Sequence, residues 1–452
     1  MNPLNKQSLR FSNRDLVSLT IPVMISSILS VIAGTVDSAM VSEAGEVAVS
    51  AVSLVDGINI LCITLFSGMA IGGGVIMAQY IGNRDYQNAG ATANQMVYIT
   101  VTMATVVMAL LLCFREQILI LLYGEMDADL LAKCKTYFLF TLFGYPFSAI
   151  GESSAYALRA MGKNQQASIC SVAFNVVNII GNAILIYGFG LGVAGAAIAT
   201  TISRVSYAGM GLWLCSSKKL PARYEKLLKF RLDFSIIRRV LRIGSASSLE
   251  NGLFHGGRIM IGRLVATFGT AAIAAHTVAD KLTNIPCVLI GAFGTAMMPV
   301  IGQCIGADEK DQAKYYLKKM TGAATVAMAV LFTGTAVFSK LLVRLYEFDA
   351  DTLKLCADYT AILSIGCIVA VFSWGFVPMA GFRAAGDVRY ATLLSLITMF
   401  AFRVGLSYVL NAVFPALGML CVYIGMSADW LVRSVCNVIR YRSGKWLYKK
   451  VI

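Results

Sequence analysis

Charged side chains are scarce in this sequence. Asp, Glu, Lys and Arg make up 14% of its 452 residues, whereas 58% of the residues are hydrophobic. A water-soluble domain needs far more polar surface, so this composition excludes that class of protein. The mean hydropathy of +0.72 instead indicates a polytopic membrane protein.

Residues that carry enzyme or metal chemistry are also few. The chain has two histidines, and its eleven cysteines form no CxxC or Cys/His cluster. Most of the cysteines lie inside apolar runs, where they act as small hydrophobes. A membrane enzyme would need paired carboxylates with a histidine or a metal site, and the sequence offers no such set. We therefore expect neither an enzyme nor a bound metal or cofactor.

Acidic residues are outnumbered by basic ones, 24 against 38, which gives a net charge of +14. Nucleic-acid binding is one explanation of such a balance, but the placement of the cations argues against it. If the amino terminus is cytoplasmic, most Lys and Arg fall in inner segments, as the positive-inside rule requires. We expect a multi-pass protein of the inner (plasma) membrane, with both termini cytoplasmic and no nucleic-acid partner.

Long apolar runs make up most of the sequence. A membrane-spanning helix needs roughly 20 apolar residues, and runs this long and unbroken lack the alternation of a transmembrane β-barrel. The predicted fold class is therefore an all-α polytopic membrane protein. We count twelve spans, six in each half, near residues 15–41, 47–80, 91–113, 130–157, 166–187, 193–215, 237–266, 270–303, 315–338, 353–381, 390–411 and 416–438.

The two halves of the chain resemble each other. Asp56 matches Asp280, and Gly162 matches Gly386, with 224 positions between the members of each pair. Several further pairs share this offset, which indicates a direct duplication and two parallel six-helix lobes.

A basic stretch separates the two halves. Residues 216–242 hold nine Lys and Arg, and we interpret this stretch as a cytoplasmic hinge. The predicted domains are an amino-terminal lobe, the hinge, a carboxy-terminal lobe and a cytoplasmic tail, at 1–215, 216–242, 243–440 and 441–452.

The first predicted helix carries an acid far along the span. Ser26, Ser30, Ala33 and Asp37 follow one another at steps of 4, 3 and 4, so they form one stripe on the helix. Small residues permit close helix packing, but an acid at this depth is costly and usually faces a cavity. Asp37 is therefore a candidate for ion coupling and for substrate binding.

The fifth predicted helix carries three asparagines on one face. Asn175, Asn178 and Asn182 are spaced by 3 and 4 residues, and amides inside a membrane need hydrogen-bond partners. They either bridge neighbouring helices or form one wall of the site that holds Asp37. On the second interpretation, Asn178 and Asn182 take part in ion coupling and Asn175 contacts the substrate.

Further polar residues lie in other predicted spans. Glu250 and Asn251 lie about ten residues into the seventh span, where they belong either to a buried ion-pair network or to a polar wall facing a central pathway. We retain Glu250 as a candidate for ion coupling and substrate binding, and Asn251 for substrate binding. We assign Asp56 a structural role. Glu152 is either an acid inside the helix bundle or the partner of a nearby cation.

Several stretches together resemble the multidrug and toxic compound extrusion (MATE) family over nearly the whole chain. They are VDSAMV from Val36, the run from Asn175 to Ser203, ALRAMGKN from Ala157, AIAAHTVAD from Ala272 and GFRAAGD from Gly381. The resemblance implies two six-helix lobes around a central cleft that opens to each face in turn. It also implies export of amphipathic, often cationic, organic compounds against entry of H⁺ or Na⁺.

The resemblance assigns roles to particular residues. The acid of the family's first helix falls on Asp37, and its helix-five pattern of Asn, three residues, then Asp falls on Asn178 and Asn182. Asn182 therefore replaces an expected acid. Glu250 matches an acid that some members carry in helix seven. The helix-ten acid of that subgroup has no counterpart near Trp374 and Phe376, which are instead candidates for apolar contact with the substrate.

These observations predict a cation-coupled secondary antiporter that works by alternating access and acts as a monomer. Asp37 would attract a cation when charged and release it when protonated, which couples the two fluxes. The alternative is a flippase for a lipid-linked or other bulky metabolite on the same architecture. A channel is argued against by the duplication and by the acids within the spans.

Overall fold

The computed structural model describes residues 9–224, 227, 232–346 and 348–452. Within these ranges the regular structure is entirely helical. Part of the predicted hinge, including Lys226, Lys229 and Arg231, lies outside the described residues. Eight of the described helices are long and apolar enough to cross a membrane.

The helices of the first half begin at Asn13. They are α1 (Asn13–Ser42), α2 (Glu46–Gly82), α3 (Tyr86–Cys113), α4 (Arg115–Tyr123), α5 (Ala128–Phe143), α6 (Tyr145–Ala160), α7 (Asn164–Asn182) and α8 (Gly192–Cys215), with a π-helical segment at Ala183–Gly188.

The helices of the second half begin at Phe234. They are α9 (Phe234–Ala266), α10 (Thr270–Gly306), α11 (Lys310–Val337), α12 (Ser339–Leu342), α13 (Ala350–Val369), α14 (Phe372–Ala384), α15 (Val388–Ile397), α16 (Ser407–Val413) and α17 (Leu420–Ser443). A π-helical segment at Thr398–Leu406 joins α15 to α16, and 3₁₀ turns lie at Val343–Leu345, Pro415–Leu417 and Lys445–Tyr448.

The predicted fold class is confirmed, with twelve spans in two six-helix lobes. Two of the predicted spans are each made of two helices. The fourth is broken at Gly144, between α5 and α6, and Pro146 lies in the first turn of α6, where its missing N–H costs nothing. The tenth is broken at Val371, between α13 and α14. The short helices α4 and α12 connect spans.

The break at Val371 is strained. Its φ of 49° is left-handed, which is unfavourable for a β-branched residue. The Ser434 hydroxyl on α17 holds the break, since it hydrogen bonds to the carbonyl oxygens of Ala370 at 2.8 Å and Val371 at 3.0 Å. Asn437 Nδ2 donates to Trp374 O and Gly375 O, both at 3.0 Å. The carbonyl groups at the break, and that of Trp374, which lacks a helical donor because Pro378 has no N–H, thus accept hydrogen bonds inside the protein, as a membrane interior requires.

The described chain forms two compact units. The amino-terminal unit comprises residues 17–249, and the carboxy-terminal unit comprises residues 250–451 with the described residues before Val17. The boundary falls within α9, between Leu249 and Glu250. The domain bounds predicted from the basic stretch remain a prediction.

Glycines of α2 permit close helix packing within the amino-terminal unit. A Cβ added at Gly72 would lie 2.7 Å from the backbone nitrogen of Gly244 and 2.8 Å from the carbonyl oxygen of Val240, both on α9. A Cβ at Gly73 would lie 2.7 Å from Met96 Cγ on α3. These distances are too short for any larger residue, which explains the glycine run at the end of this span.

Candidate functional site

The structure brings Asp37 and Asn182 into contact in the amino-terminal unit. Asp37 lies on α1 and is half-buried, whereas Asn182 is the last residue of α7 and is fully buried. Asn182 Nδ2 donates a hydrogen bond to Asp37 Oδ1. The Oδ1 atom of Asn182 is buried and has no hydrogen-bond partner in the described part of the chain. The neutral amide of Asn182 thus donates to the acid, and its own acceptor atom, Oδ1, remains without a partner among the described residues.

The other two asparagines of α7 contact different helices. Asn175 Nδ2 donates to Ser30 Oγ on α1 at 2.9 Å, and Asn178 Nδ2 lies 3.4 Å from Thr200 Oγ1 on α8. The three amides therefore bridge α7 to its neighbours, as one of the two sequence interpretations expected. Because two of these bridges end on the Asp37 stripe, they also line the surroundings of that acid.

A second carboxylate lies near Asp37. Asp56 on α2 accepts hydrogen bonds from Asn59 Nδ2 at 3.0 Å and from the Tyr137 hydroxyl at 3.1 Å. Its negative charge acts on Asp37. The sequence favoured a structural role for Asp56 and did not place it in this site. The helix-five acid that Asn182 replaces is therefore not the only possible source of a second charge.

Arg204 on α8 was not identified from the sequence. It is buried, donates from Nη1 to the Thr141 carbonyl at 2.7 Å, and its guanidinium lies 5.6 Å from the centre of the Tyr145 ring. Tyr145 in turn donates to Asn59 Oδ1 at 2.9 Å, which connects Arg204 to the partner of Asp56. An arginine inside an apolar span was the available signal, since such residues are usually functional or paired.

In the carboxy-terminal unit, Glu250 is paired. It is buried, and Arg383 from the last turn of α14 forms an ion pair with it. Thr392 Oγ1 donates to its second oxygen at 3.3 Å. Asn251 beside it is half-buried. This geometry matches the ion-pair interpretation of Glu250, and the ion-coupling and substrate roles assigned from sequence remain predictions.

A cavity of about 470 Å³ lies within the carboxy-terminal unit. Phe376 lines it and stacks on Phe372, with ring centres 4.3 Å apart. Trp374 instead packs edge-on against Tyr441 at 5.9 Å. The structure therefore separates the two aromatic residues that the sequence grouped as apolar contacts.

Behind the cavity, two arginines share one acid. Asp429 on α17 is fully buried and accepts from Arg433 Nη2, one turn further along the same helix, at 2.9 Å. It also accepts from Arg403 Nε at 3.0 Å. Arg403 lies in the π-helical segment after α15, and its part in this network could not be read from local spacing.

The duplicated twelve-span fold, with polar groups held inside its helices, is an architecture that membrane transporters use. The MatE family model matches the chain twice, at residues 22–184 and 246–409. The two matches begin 224 positions apart, which confirms the internal duplication. The chain belongs to the MatE family of transporters.

Relatives of the chain are similar over almost its full length. "Uncharacterized transporter YisQ" from Bacillus subtilis (strain 168) is 28% identical, over 96% of this chain and 95% of that protein. "Probable multidrug resistance protein NorM" from Thermotoga maritima is 22% identical, over 100% and 97%. A solved structure of a multidrug resistance MATE family transporter in an outward-facing conformation superposes with a TM-score of 0.88, at 21% identity, over 95% of this chain and 96% of that one.

Proposed function

We propose that the chain is a cation-coupled antiporter that exports amphipathic organic compounds, many of them cationic, by alternating access. It does so as a monomer in the inner (plasma) membrane with both termini cytoplasmic. Membership of a transporter family and relatives described as multidrug export or resistance proteins support this proposal. The coupling ion is H⁺ or Na⁺.

The contact between Asp37 and Asn182 is the observation that carries the proposal. Asp37 forms no ion pair with any described residue, so no fixed cation neutralises it. A carboxylate inside a membrane protein without a fixed counter-charge is free to exchange a proton, a sodium ion or a cationic substrate. Competition between these cations for one carboxylate would couple their movements.

Asn182 suits both states of the acid. Its NH₂ group donates to Asp37 Oδ1 in the structure, a contact that suits the charged carboxylate. When Asp37 is protonated, a flip of the Asn182 side-chain amide would bring its Oδ1 atom to the new O–H as an acceptor. That atom has no other partner among the described residues. A second acid at this position would repel the charged form, so the asparagine keeps Asp37 usable without a like charge in contact.

Asn178 completes the ion-coupling residues of the amino-terminal unit by fixing α7 against α8, and Asn175 faces the substrate beside Ser30. Glu250 contributes to coupling through its pair with Arg383, and Asn251, Trp374 and Phe376 provide further substrate contacts. No observation in the described residues favours the flippase alternative.

Transport by purified protein in vesicles tests the proposal. A fluorescent organic cation is loaded on one side, and a pH gradient or a sodium gradient is imposed separately. We expect uphill movement of the cation with one gradient, and loss of that movement when an ionophore collapses the gradient. Protein-dependent movement that follows only the dye's own gradient under both conditions would contradict the proposal.

A further inference from the structure

The cavity of the carboxy-terminal unit is lined by an excess of positive charge. Arg258, Lys281 and Arg403 line it together with one carboxylate, that of Asp280. Arg258 Nη2 already pairs with Asp280 at 2.8 Å, so these two charges cancel. Lys281 and Arg403 are the cations left to face the cavity.

Arg403 has hydrogen-bonding capacity to spare. Its Nε donates to Asp429, but its two terminal nitrogens have no hydrogen-bond partner in the described parts of the chain. Asp429 is already paired with Arg433, so one carboxylate serves two guanidinium groups. Lys281 is exposed and has no ion-pair partner within the described ranges. The terminal nitrogens of Arg403 and the ammonium group of Lys281 therefore have no acceptor among the described residues.

A purely structural role does not account for Arg403. A cation within a membrane-spanning segment is costly unless it is compensated, and Arg433 alone would neutralise Asp429. Arg403 also lies in the π-helical segment Thr398–Leu406, and such interruptions of an α-helix occur frequently at functional sites. Both observations favour a ligand that supplies the missing negative charge.

The remaining wall is aromatic. The guanidinium of Arg403 lies 5.3 Å from the ring centre of Phe254 and 5.4 Å from that of Trp430, both of which line the cavity. The Trp430 ring packs edge-on against Phe372 at 5.5 Å, and its buried indole N–H has no acceptor among the described residues. The cavity thus combines flat apolar surfaces with unpartnered donors, which suits an organic anion better than a bare inorganic ion.

We propose that this cavity binds an organic anion, with a carboxylate or sulfonate group on Arg403 and Lys281 and an apolar body against Phe372, Phe376 and Trp430. This site is separate from Asp37, and its charge is opposite to that of the acid there. The proposal goes beyond export of cationic compounds, because it gives the carboxy-terminal unit a ligand class of its own.

Calorimetric binding to the purified full chain in non-ionic detergent tests this proposal. The probes share one ring system and differ in charge: naphthalene-2-sulfonate, 2-naphthalenemethanol and 2-naphthylmethylammonium. We expect the sulfonate to bind at least about tenfold more tightly than the alcohol, and the ammonium ion more weakly than both. Equal or tighter binding of the ammonium ion would overturn the proposal.

Variants then place the binding in the cavity. Lys281→Gln removes an exposed charge without a partner and leaves the fold intact, and Arg403→Lys keeps the charge beside Asp429 but loses the planar fork. Each should weaken sulfonate binding about fivefold or more, with little change for the alcohol. Lys354→Gln, an exposed cation of α13 that does not line the cavity, is the matched control.

Two results bear on the site directly. If Lys281→Gln and Arg403→Lys both bind the sulfonate as the wild type does, the anion binds elsewhere and the proposal is wrong. The Asp37→Asn variant should bind the sulfonate normally, since the assay imposes no gradient and Asp37 lies in a different unit from Lys281 and Arg403. Failure of anion binding and failure of cation-coupled transport are therefore separate outcomes.

Discussion

The two units of this transporter treat their membrane-embedded acids in opposite ways. In the amino-terminal unit Asp37, Asp56 and Glu152 contact neutral donors, such as Asn182 and Tyr137, and none of the three forms an ion pair with a described residue. In the carboxy-terminal unit the acids of α9, α10 and α17 pair with arginines: Glu250 with Arg383, Asp280 with Arg258, and Asp429 with Arg403 and Arg433.

This difference separates exchangeable charge from fixed charge. An acid with neutral partners is able to gain and lose a cation, whereas an acid beside an arginine is held charged and contributes to packing. We therefore expect the amino-terminal acids to govern transport and the carboxy-terminal acids to govern stability, with Glu250 contributing to both.

The largest effect is expected from Asp37→Asn. The substitution keeps the shape and a hydrogen-bonding group but removes the charge that exchanges cations. Gradient-driven transport in vesicles should fall to background, while expression and thermal stability stay close to those of the wild type. Glu43→Gln, an exposed acid just after α1, is the control and should transport normally. Uphill transport by Asp37→Asn would show that another acid couples the fluxes.

Asp429→Asn should have the next largest effect, and on stability instead. It leaves two buried guanidinium groups without a carboxylate, and breaking a buried pair costs about 3–5 kcal/mol. We expect the free energy of unfolding to fall by about 4 kcal/mol, measured by denaturant titration in detergent. A fall no larger than that of Asp37→Asn would remove the distinction between the units.

Glu250→Gln should destabilise the protein less than Asp429→Asn does. It leaves Arg383 without its acid, but that side chain is 23% exposed, so water compensates in part. We expect the free energy of unfolding to fall by about 3 kcal/mol. Transport should be reduced, although the protein still folds. Normal transport together with a lower Tm would assign Glu250 to a structural network alone.

The smallest effect concerns orientation. A cysteine at Ser217, at the start of the basic stretch, should react with an impermeant maleimide only after the cells are opened. The background carries Cys113→Ser because Cys113 is exposed, and a cysteine at Glu125 in the predicted outer loop is the positive control. Labelling of position 217 in intact cells would reverse the assigned faces of both units.

The sequence predicted much of this because helical spacing reveals which residues share a face. The stripe ending at Asp37 and the asparagines of α7 were both found in this way, and one of the two interpretations of the asparagines placed them beside Asp37. Spacing does not reveal which face of a distant helix lies opposite. For that reason Tyr137, Arg204 and Arg403 were missed, and Trp374 was grouped with Phe376 although their side chains have different surroundings.

Helix breaks were harder to predict. Apolar composition is continuous across Gly144 and Val371, so each pair of helices was counted as a single span. Ser434 hydrogen bonds to the break at Val371, and Asn437 hydrogen bonds to the first turn of α14. Both residues lie more than sixty positions further along the chain. No local pattern carries that information.

The dependence of this break on α17 has a consequence for the order in which the protein is made. The carbonyl groups of Ala370, at the break, and of Trp374, opposite Pro378, need donors that lipid does not provide, and those donors, Ser434 and Asn437, lie on the last of the twelve spans. During synthesis, α13 and α14 therefore enter the membrane before their partner exists. The carboxy-terminal unit should reach its final packing only after α17 has left the ribosome.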